Sequence, residues 1–333
     1  MTSWHYSKAD KETLGRTILP FLPDKIFDVH AHLFSHGHFP TGVPKSFKSF
    51  PNSLGLEEYW DFVEWLHPNK RTKAGLFFGL AFQGDREANN AFVAHEVGRA
   101  PADFKALGQM IISPNMTAAY IQTQVEAFDF VGLKPYHTMS QTNEATWHAA
   151  IGAYFPESHA EIAHDLGLSV TLHIVRDRAL ADPENQKTIR RYCQTYPNMR
   201  LILAHAGRGF NPWHTVEGVG SLRGLDNVWF DTSAVTEAGG FEAIVEAVGY
   251  ERLIYGTDFP VSHMRGRCVA IGDSFHWLYA ESMNVNESHA NLEPVLVGVE
   301  SLRSLGLAFH HLKLSDTQIE AIFYTNADKL FSS

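Results

Sequence analysis

The segment Ile26-Phe27-Asp28-Val29-His30-Ala31-His32 ends an apolar run in two histidines one residue apart. Alternate side chains of a strand share a face, so His30 and His32 project together from the end of one strand. Imidazole is a common metal ligand, and two converging rings provide half of a four-ligand site. The other half must come from elsewhere in the chain.

Outward from this segment the chain alternates. The first apolar run, 25–30, is followed by runs at 75–82, 107–112, 130–134, 169–173, 200–205, 228–231 and 253–258. Helical patterns fall near 56–66, 87–99, 117–128, 156–166, 183–196 and 241–248, with a short one after Pro212. Continuous apolar runs suit strands buried on both faces, and eight β/α units make a (β/α)8 TIM barrel of the α/β class. A doubly wound open sheet competes with this reading. The chain lacks a glycine-rich phosphate fingerprint after its first strand, which weakens the dinucleotide-binding version. Asp182 reads as an N-cap with Pro183 at the first helical position, and Ser315 with Gln318 has capping-box spacing.

One barrel domain over 1–333 is expected, with 1–24 as an N-terminal arm and 259–312 as a loop and helical excursion over the barrel mouth. A closing helix is expected at 314–331. The loop 33–52, rich in His, Gly and Pro, is long, and long ordered loops are usually functional. The net charge of -10 and the lack of a basic run argue against nucleic acid or an anionic membrane as the main partner. Cys193 and Cys268 form no metal-knuckle spacing, and two cysteines do not make a disulfide framework. No apolar run is long enough for a membrane span, and Met1-Thr2-Ser3-Trp4-His5 lacks the apolar core of a signal peptide. The expected location is the cytoplasm.

The ends of the runs carry the chemistry. The first gives His30 and then His32, the fourth Lys134, the fifth His173, the sixth His205, the seventh Asp231 and the eighth Asp258. Strand C-termini of a barrel gather at one face, where active sites sit. With 19 histidines in the chain, a single strand-terminal imidazole carries little weight, and the joint pattern carries the reading. Alone, Asp258 could cap a helix and Asp231 could bond the amides of the next loop. His36, His38, His159, His164, His310 and His311 read as loop or helix surface.

This pattern resembles the amidohydrolase superfamily of metal-dependent barrels. It is most similar to the amidohydrolase-related branch that includes aminocarboxymuconate-semialdehyde decarboxylase, resorcylate-type decarboxylases and several lactonases. The matching pieces are Phe27–His32, Gly132-Leu133-Lys134-Pro135, Thr171-Leu172-His173, Leu203-Ala204-His205-Ala206-Gly207, Tyr255-Gly256-Thr257-Asp258-Phe259-Pro260 and Asn326–Phe331. The resemblance implies one divalent metal held by His30, His32, His173 and Asp258, with His205 as the nearby acid/base or electrostatic group. Three imidazoles and a carboxylate suit Zn²⁺, or Mn²⁺ or Co²⁺. Such an ion acidifies a water and polarises a substrate oxygen. Asp258 could take the proton, and His205 could hydrogen-bond the developing oxyanion. In other branches a lysine at the position of Lys134 is carboxylated and bridges two metals, with His173 and His205 on the second. In this branch it stays an amine, here a candidate substrate-binding residue, and the bland alternative is an ammonium paired with a carboxylate such as Asp231.

Arg176 and Arg208 each lie three residues past a site histidine, on mouth loops. Arginine pairs bidentately with carboxylates, so the two point to an acidic substrate unless loop acids such as Asp177 or Glu217 claim them. Tyr136, His137 and Trp213 are candidate pocket walls. The expected activity is hydrolysis of a C–O or C–N bond, a lactone or amide, in a small carboxylated compound. Non-oxidative decarboxylation by the same metal site is the alternative, and a non-catalytic binding barrel and a sugar-acid isomerase are further rivals. The resemblance also implies a homodimer.

Overall fold

A computed structural model describes residues 5–43, 45–80, 82, 84–283 and 292–332. Eight strands form one parallel sheet in sequence order. They are β1 (Lys25–His32), β2 (Arg71–Phe78), β3 (Lys105–Ile112), β4 (Gly132–Pro135), β5 (Ser169–Leu172), β6 (Arg200–Leu203), β7 (Val228–Asp231) and β8 (Leu253–Ile254). The ring closes between β1 and the segment after β8. The N–H of Val29 donates to Tyr255 O at 2.9 Å, that of Asp258 to His30 O at 2.8 Å and that of His32 to Phe259 O at 2.8 Å. The (β/α)8 barrel expected from the alternation is the observed fold.

Each strand is followed by a helix of the outer layer: α1 (Leu56–Leu66), α2 (Arg86–Gly98), α3 (Ala118–Phe128), α4 (Glu157–Asp165), α5 (Pro183–Thr195), α6 (Pro212–Gly218), α7 (Gly239–Val248) and α8 (Val297–Leu312). Spacing decides which face is buried. In α1, Leu56, Tyr59, Phe62, Val63 and Leu66 are buried, a three-and-four stripe. Each large apolar side chain removed from water in this way contributes about 1.5–3 kcal/mol. Asp182 caps α5, its Oδ1 accepting from the N–H groups of Glu184 at 3.0 Å and Asn185 at 3.2 Å. Inside the ring, Phe27, Val29, Ala74, Leu76, Ile202 and Ile254 form an apolar plug closed by Ala327 and Leu330. The plug fills the N-terminal half, and the polar strand residues lie at the other end.

Two features differ from the sequence pattern. First, β5, β6 and β8 stop before the chemistry-bearing residues, so His173, His205 and Asp258 lie past the ladders. Second, the stretch 259–312 divides. An antiparallel hairpin, β9 (Gly266–Ile271) with β10 (Ser274–Tyr279), lies on the C-terminal side of the barrel, whereas α8 belongs to the outer ring. Residues 284–291 of this stretch lie outside the described residues. Asn211 holds the hairpin turn by donating from Nδ2 to Gly272 O at 3.0 Å and Ser274 O at 2.9 Å. The 1–24 arm contains a short helix, Lys8–Thr13, anchored by buried Asp10, which accepts from Arg265 at 2.8 Å and from the Leu296 N–H at 3.0 Å. Among the described residues no helix is long and apolar enough to cross a membrane.

Candidate metal centre

The centre begins with β1. A register shift against β2 places an extra residue between Asp28 and Ala31. Asp28 is fully buried and braces the strand against the segment after β8. It accepts from Thr257 N at 2.9 Å, Thr257 Oγ1 at 2.6 Å, His30 N at 3.1 Å and Tyr59 Oη at 3.1 Å. Burial pushes its carboxyl up to about 6 despite these bonds. The brace holds Thr257, and with it the next residue, beside β1. Asp258 Oδ1 then lies 3.3 Å from His32 Nε2 and 3.4 Å from His30 Nε2.

His32 Nδ1 lies 2.9 Å from Gly79 O, and His205 Nδ1 lies 2.9 Å from Ser233 O. A carbonyl oxygen only accepts, so Nδ1 carries a proton in both rings. His30 Nδ1 faces Asp231 Oδ2 at 2.8 Å. His30, His205 and Asp258 each bring one ligand atom into a buried group whose atoms lie within 4.8 Å of one another. His173 is adjacent. Its ring centroid is 5.1 Å from that of His205, and it stacks on Tyr136 at 5.5 Å. Its buried Nδ1 has no hydrogen-bond partner among the described residues.

This donor set fits a divalent cation. Burial above all, reinforced by Lys134, holds His30 well below the ordinary imidazole range. Burial does the same to His173, with His205 adding to it. At Asp258 burial opposes ionisation, but the surrounding imidazoles, His32 first, outweigh it and hold the carboxyl low. Unprotonated imidazoles and an ionised carboxylate are the ligand forms a metal requires.

His205 reaches the centre through unusual backbone. His205, Ala206, Gly207 and Arg208 have φ of 56°, 55°, 69° and 59°, a left-handed turn closed by the Gly209 N–H donating to His205 O at 2.6 Å. Left-handed conformation costs a non-glycine residue roughly 1–2 kcal/mol. Glycine suits position 207, because an added Cβ would also lie 3.0 Å from Leu180 Cδ2. Strain of this kind clusters at functional sites, where surrounding contacts over-determine it. Here the Asp231 carboxylate accepts from the His205 N–H at 2.8 Å.

Lys134 is fully buried at the end of β4, with Nζ 3.3 Å from His30 Nε2 and 4.0 Å from the centroid of Phe78. Among the described residues it makes no ion pair within 4 Å, because Asp231 is turned to His30 instead. Burial brings its ammonium down to about 7 against the attraction of Asp231 and Asp258. The two arginines part company. Arg176 pairs with Asp182, Nε to Oδ2 at 2.9 Å. Arg208 is only 7% exposed, and its guanidinium lies 5.3 Å from the ring of Trp147 and 5.1 Å from that of Phe275. Its Nη1 donates to Arg176 O at 2.8 Å, its Nε has no partner among the described residues, and no carboxylate there lies within ion-pair distance. Burial lowers its pKa to about 10. Tyr136 and His137 lie beside His173, but Trp213 is 62% exposed.

The sequence left four contributors unassigned. Ser233 touches both His30 and His205, Phe210 stacks on His205 at 5.2 Å, and Phe275 and Trp277 of the hairpin pack on Phe210 at 5.1 and 5.3 Å. Asp231-Thr232-Ser233 repeats the two-residue spacing of His30 and His32 at a strand end, a signal available in the sequence.

The chain belongs to the amidohydrolase family of enzymes: the family model Amidohydro_2, Amidohydrolase, matches residues 27–332. It is 31% identical over 141 residues to an L-fucono-1,5-lactonase of Burkholderia ambifaria, a match spanning 37% of this chain and 43% of that relative. Its fold is similar to the crystal structure of a dihydroxybenzoic acid decarboxylase from Polaromonas sp. JS666 with bound manganese and the inhibitor 2-nitroresorcinol. That likeness has a TM-score of 0.58 and 15% identity, covering 93% of this chain and 97% of the other. A 2,6-dihydroxybenzoate decarboxylase from Rhizobium is similar with a TM-score of 0.55 and 14% identity, covering 93% and 99%.

Proposed function

We propose that this protein is a metal-dependent hydrolase that opens a lactone or amide bond in a small carboxylated compound. The observation that carries the reading is the convergence of His30, His32 and Asp258 with His173 and His205 at a buried strand-end face. His30, His32, His173 and Asp258 would hold one divalent ion, Zn²⁺ or else Mn²⁺ or Co²⁺. The ion's contribution is to polarise the scissile carbonyl and make a water more acidic.

The protein's own groups do the rest. The Asp258 carboxylate accepts the proton of the attacking water. His205, oriented by Ser233 O, takes that proton from Asp258 on Nε2 and delivers it to the leaving oxygen or nitrogen as the C–O or C–N bond breaks, which returns both groups to their starting forms. Phe210, Phe275 and Trp277 keep bulk water off His205, which strengthens every charge interaction inside. Arg208 is the cation available for the substrate carboxylate. The partial identity to a lactonase supports ester-type over amide-type bonds. The expected assembly is a homodimer, which light scattering checks.

Metal analysis of the purified protein combined with two assays over a panel of carboxylated lactones and amides tests the reading. Proton release without CO2 supports hydrolysis. Bicarbonate release from aromatic or unsaturated carboxylic acids, with intact lactones, would replace it with decarboxylation.

A further inference from the structure

Asp231 and Ser233 form a buried hub behind the two rings. Asp231 Oδ1 accepts from His205 N at 2.8 Å, Ser233 N at 3.1 Å and Ser233 Oγ at 2.5 Å, while Oδ2 faces His30 Nδ1 at 2.8 Å. Ser233 Oγ is also 2.9 Å from His205 Nδ1 and 3.1 Å from His30 Nδ1. Both residues are 0% exposed, which shields these bonds from bulk solvent.

Counting donors sets the direction of every bond. Oδ1 is surrounded by two backbone N–H groups and one hydroxyl, all donors. The single hydroxyl proton of Ser233 is directed to Oδ1, so Oγ can only accept from the imidazoles. His30 Nδ1 therefore meets two acceptors, Asp231 Oδ2 and Ser233 Oγ, and must carry its proton there. Its Nε2 is left with the lone pair, within 3.3 Å of the donor Lys134 Nζ and 3.4 Å of Asp258 Oδ1. His205 has a second acceptor for its Nδ1 proton, the carbonyl of Ser233, but His30 has no carbonyl in this role.

We propose that Asp231 is the positioning residue that selects the metal-binding tautomer of His30, and that through the His205 N–H it also holds the left-handed turn carrying His205. The proposal rests on the metal-centre reading for its functional meaning, but its geometric content stands apart from it. Outer hydrogen-bond partners of metal-ligating histidines typically change metal affinity by about 10- to 100-fold.

Asp231→Asn is isosteric and separates the roles. Its one amide oxygen stays at the Oδ1 site, where three donors converge, so its NH2 faces His30 Nδ1. A donor there drives the His30 proton onto Nε2, the wrong atom for a metal.

Imidazole 15N NMR of the metal-free protein, with zinc binding and the apo melting temperature measured in parallel, tests this. In the wild type His30 and His205 both show Nδ1–H. In Asp231→Asn, His30 switches to Nε2–H while His205 keeps Nδ1–H, and zinc affinity falls about 10- to 100-fold. Ser233→Ala keeps both tautomers, because Asp231 and the Ser233 carbonyl remain, and changes zinc affinity less than 10-fold. A wild-type His30 protonated on Nε2, or an Asp231→Asn protein with His30 still Nδ1–H, overturns the proposal. If Asp231→Asn does not fold, the wild-type tautomer decides. Absence of zinc binding by the wild type would sink the metal centre, and the NMR result would still judge Asp231.

Discussion

The backbone N–H of Asp258 donates to the carbonyl of His30 at 2.8 Å. This one bond helps close the ring of strands and sets the carboxylate beside the imidazoles. Barrel closure and assembly of the centre are therefore the same event, and a mutation that loosens the β1–β8 seam should disturb both.

His30→Ala removes the ring at the middle of the group. Bound metal and turnover are expected to disappear together while the far-ultraviolet circular dichroism stays native. Elemental analysis beside the activity assay checks this, and full metal content with lost activity would contradict it.

The roles proposed for His173, ligand, and His205, acid/base, can be separated by mutation. His173→Asn should lose metal. His205→Asn should keep it and lose turnover by ~10²–10⁴-fold. Since His205 lies within 4.8 Å of its partners in the compact group, equal metal loss in both variants would move His205 into the ligand set.

The arginines should respond unequally. Arg208→Ala removes a buried cation without a carboxylate partner, and KM for a carboxylated substrate should rise about 10- to 100-fold, matching the ~1.5–3 kcal/mol of a charged hydrogen bond. Arg176→Ala should leave KM within a few-fold, because its side chain is committed to Asp182. Steady-state kinetics on both variants separates the two.

His67 supplies a pH prediction away from the centre. It is 1% exposed, its Nε2 lies 2.7 Å from Tyr255 Oη, and burial lowers its pKa from 6.5 to about 3. Between those values the unfolded chain binds more protons than the folded one, so stability falls as pH drops below 6.5. One such group contributes about 1.4 kcal/mol per pH unit in that window. Urea unfolding in EDTA at pH 7.5, 6 and 5 should show the loss, and His67→Gln should flatten it by about one proton. An unchanged slope would show that His67 is not the group responsible.

The β/α cadence was legible because burial on both faces writes continuous apolar runs, and helix caps such as Asp182 write local signals of their own. The gathering of the strand-end histidines and carboxylates was legible for the same reason, as strand ends in a parallel barrel must meet at one face. Even so, His173, His205 and Asp258 sit past the ladders, and His205 and Asp258 are aimed by left-handed backbone that strand alternation does not foretell. The hairpin was hidden, its alternation short and its partners distant.

By itself the sequence determined the order of strands and helices, the residue types offered at each strand end and the membership of the two-histidine face. These depend on periods of two and of three to four residues, which any local window contains. Only the tertiary structure decided that Asp231 serves His30 rather than Lys134, that Asp182 takes Arg176 and leaves Arg208 free of a carboxylate, and that His205 approaches through a left-handed turn. Each is a choice among several chemically equivalent partners, some as far apart in the chain as the 201 residues between His30 and Asp231. Close packing, which admits one arrangement of donors and acceptors in a dry interior, makes that choice.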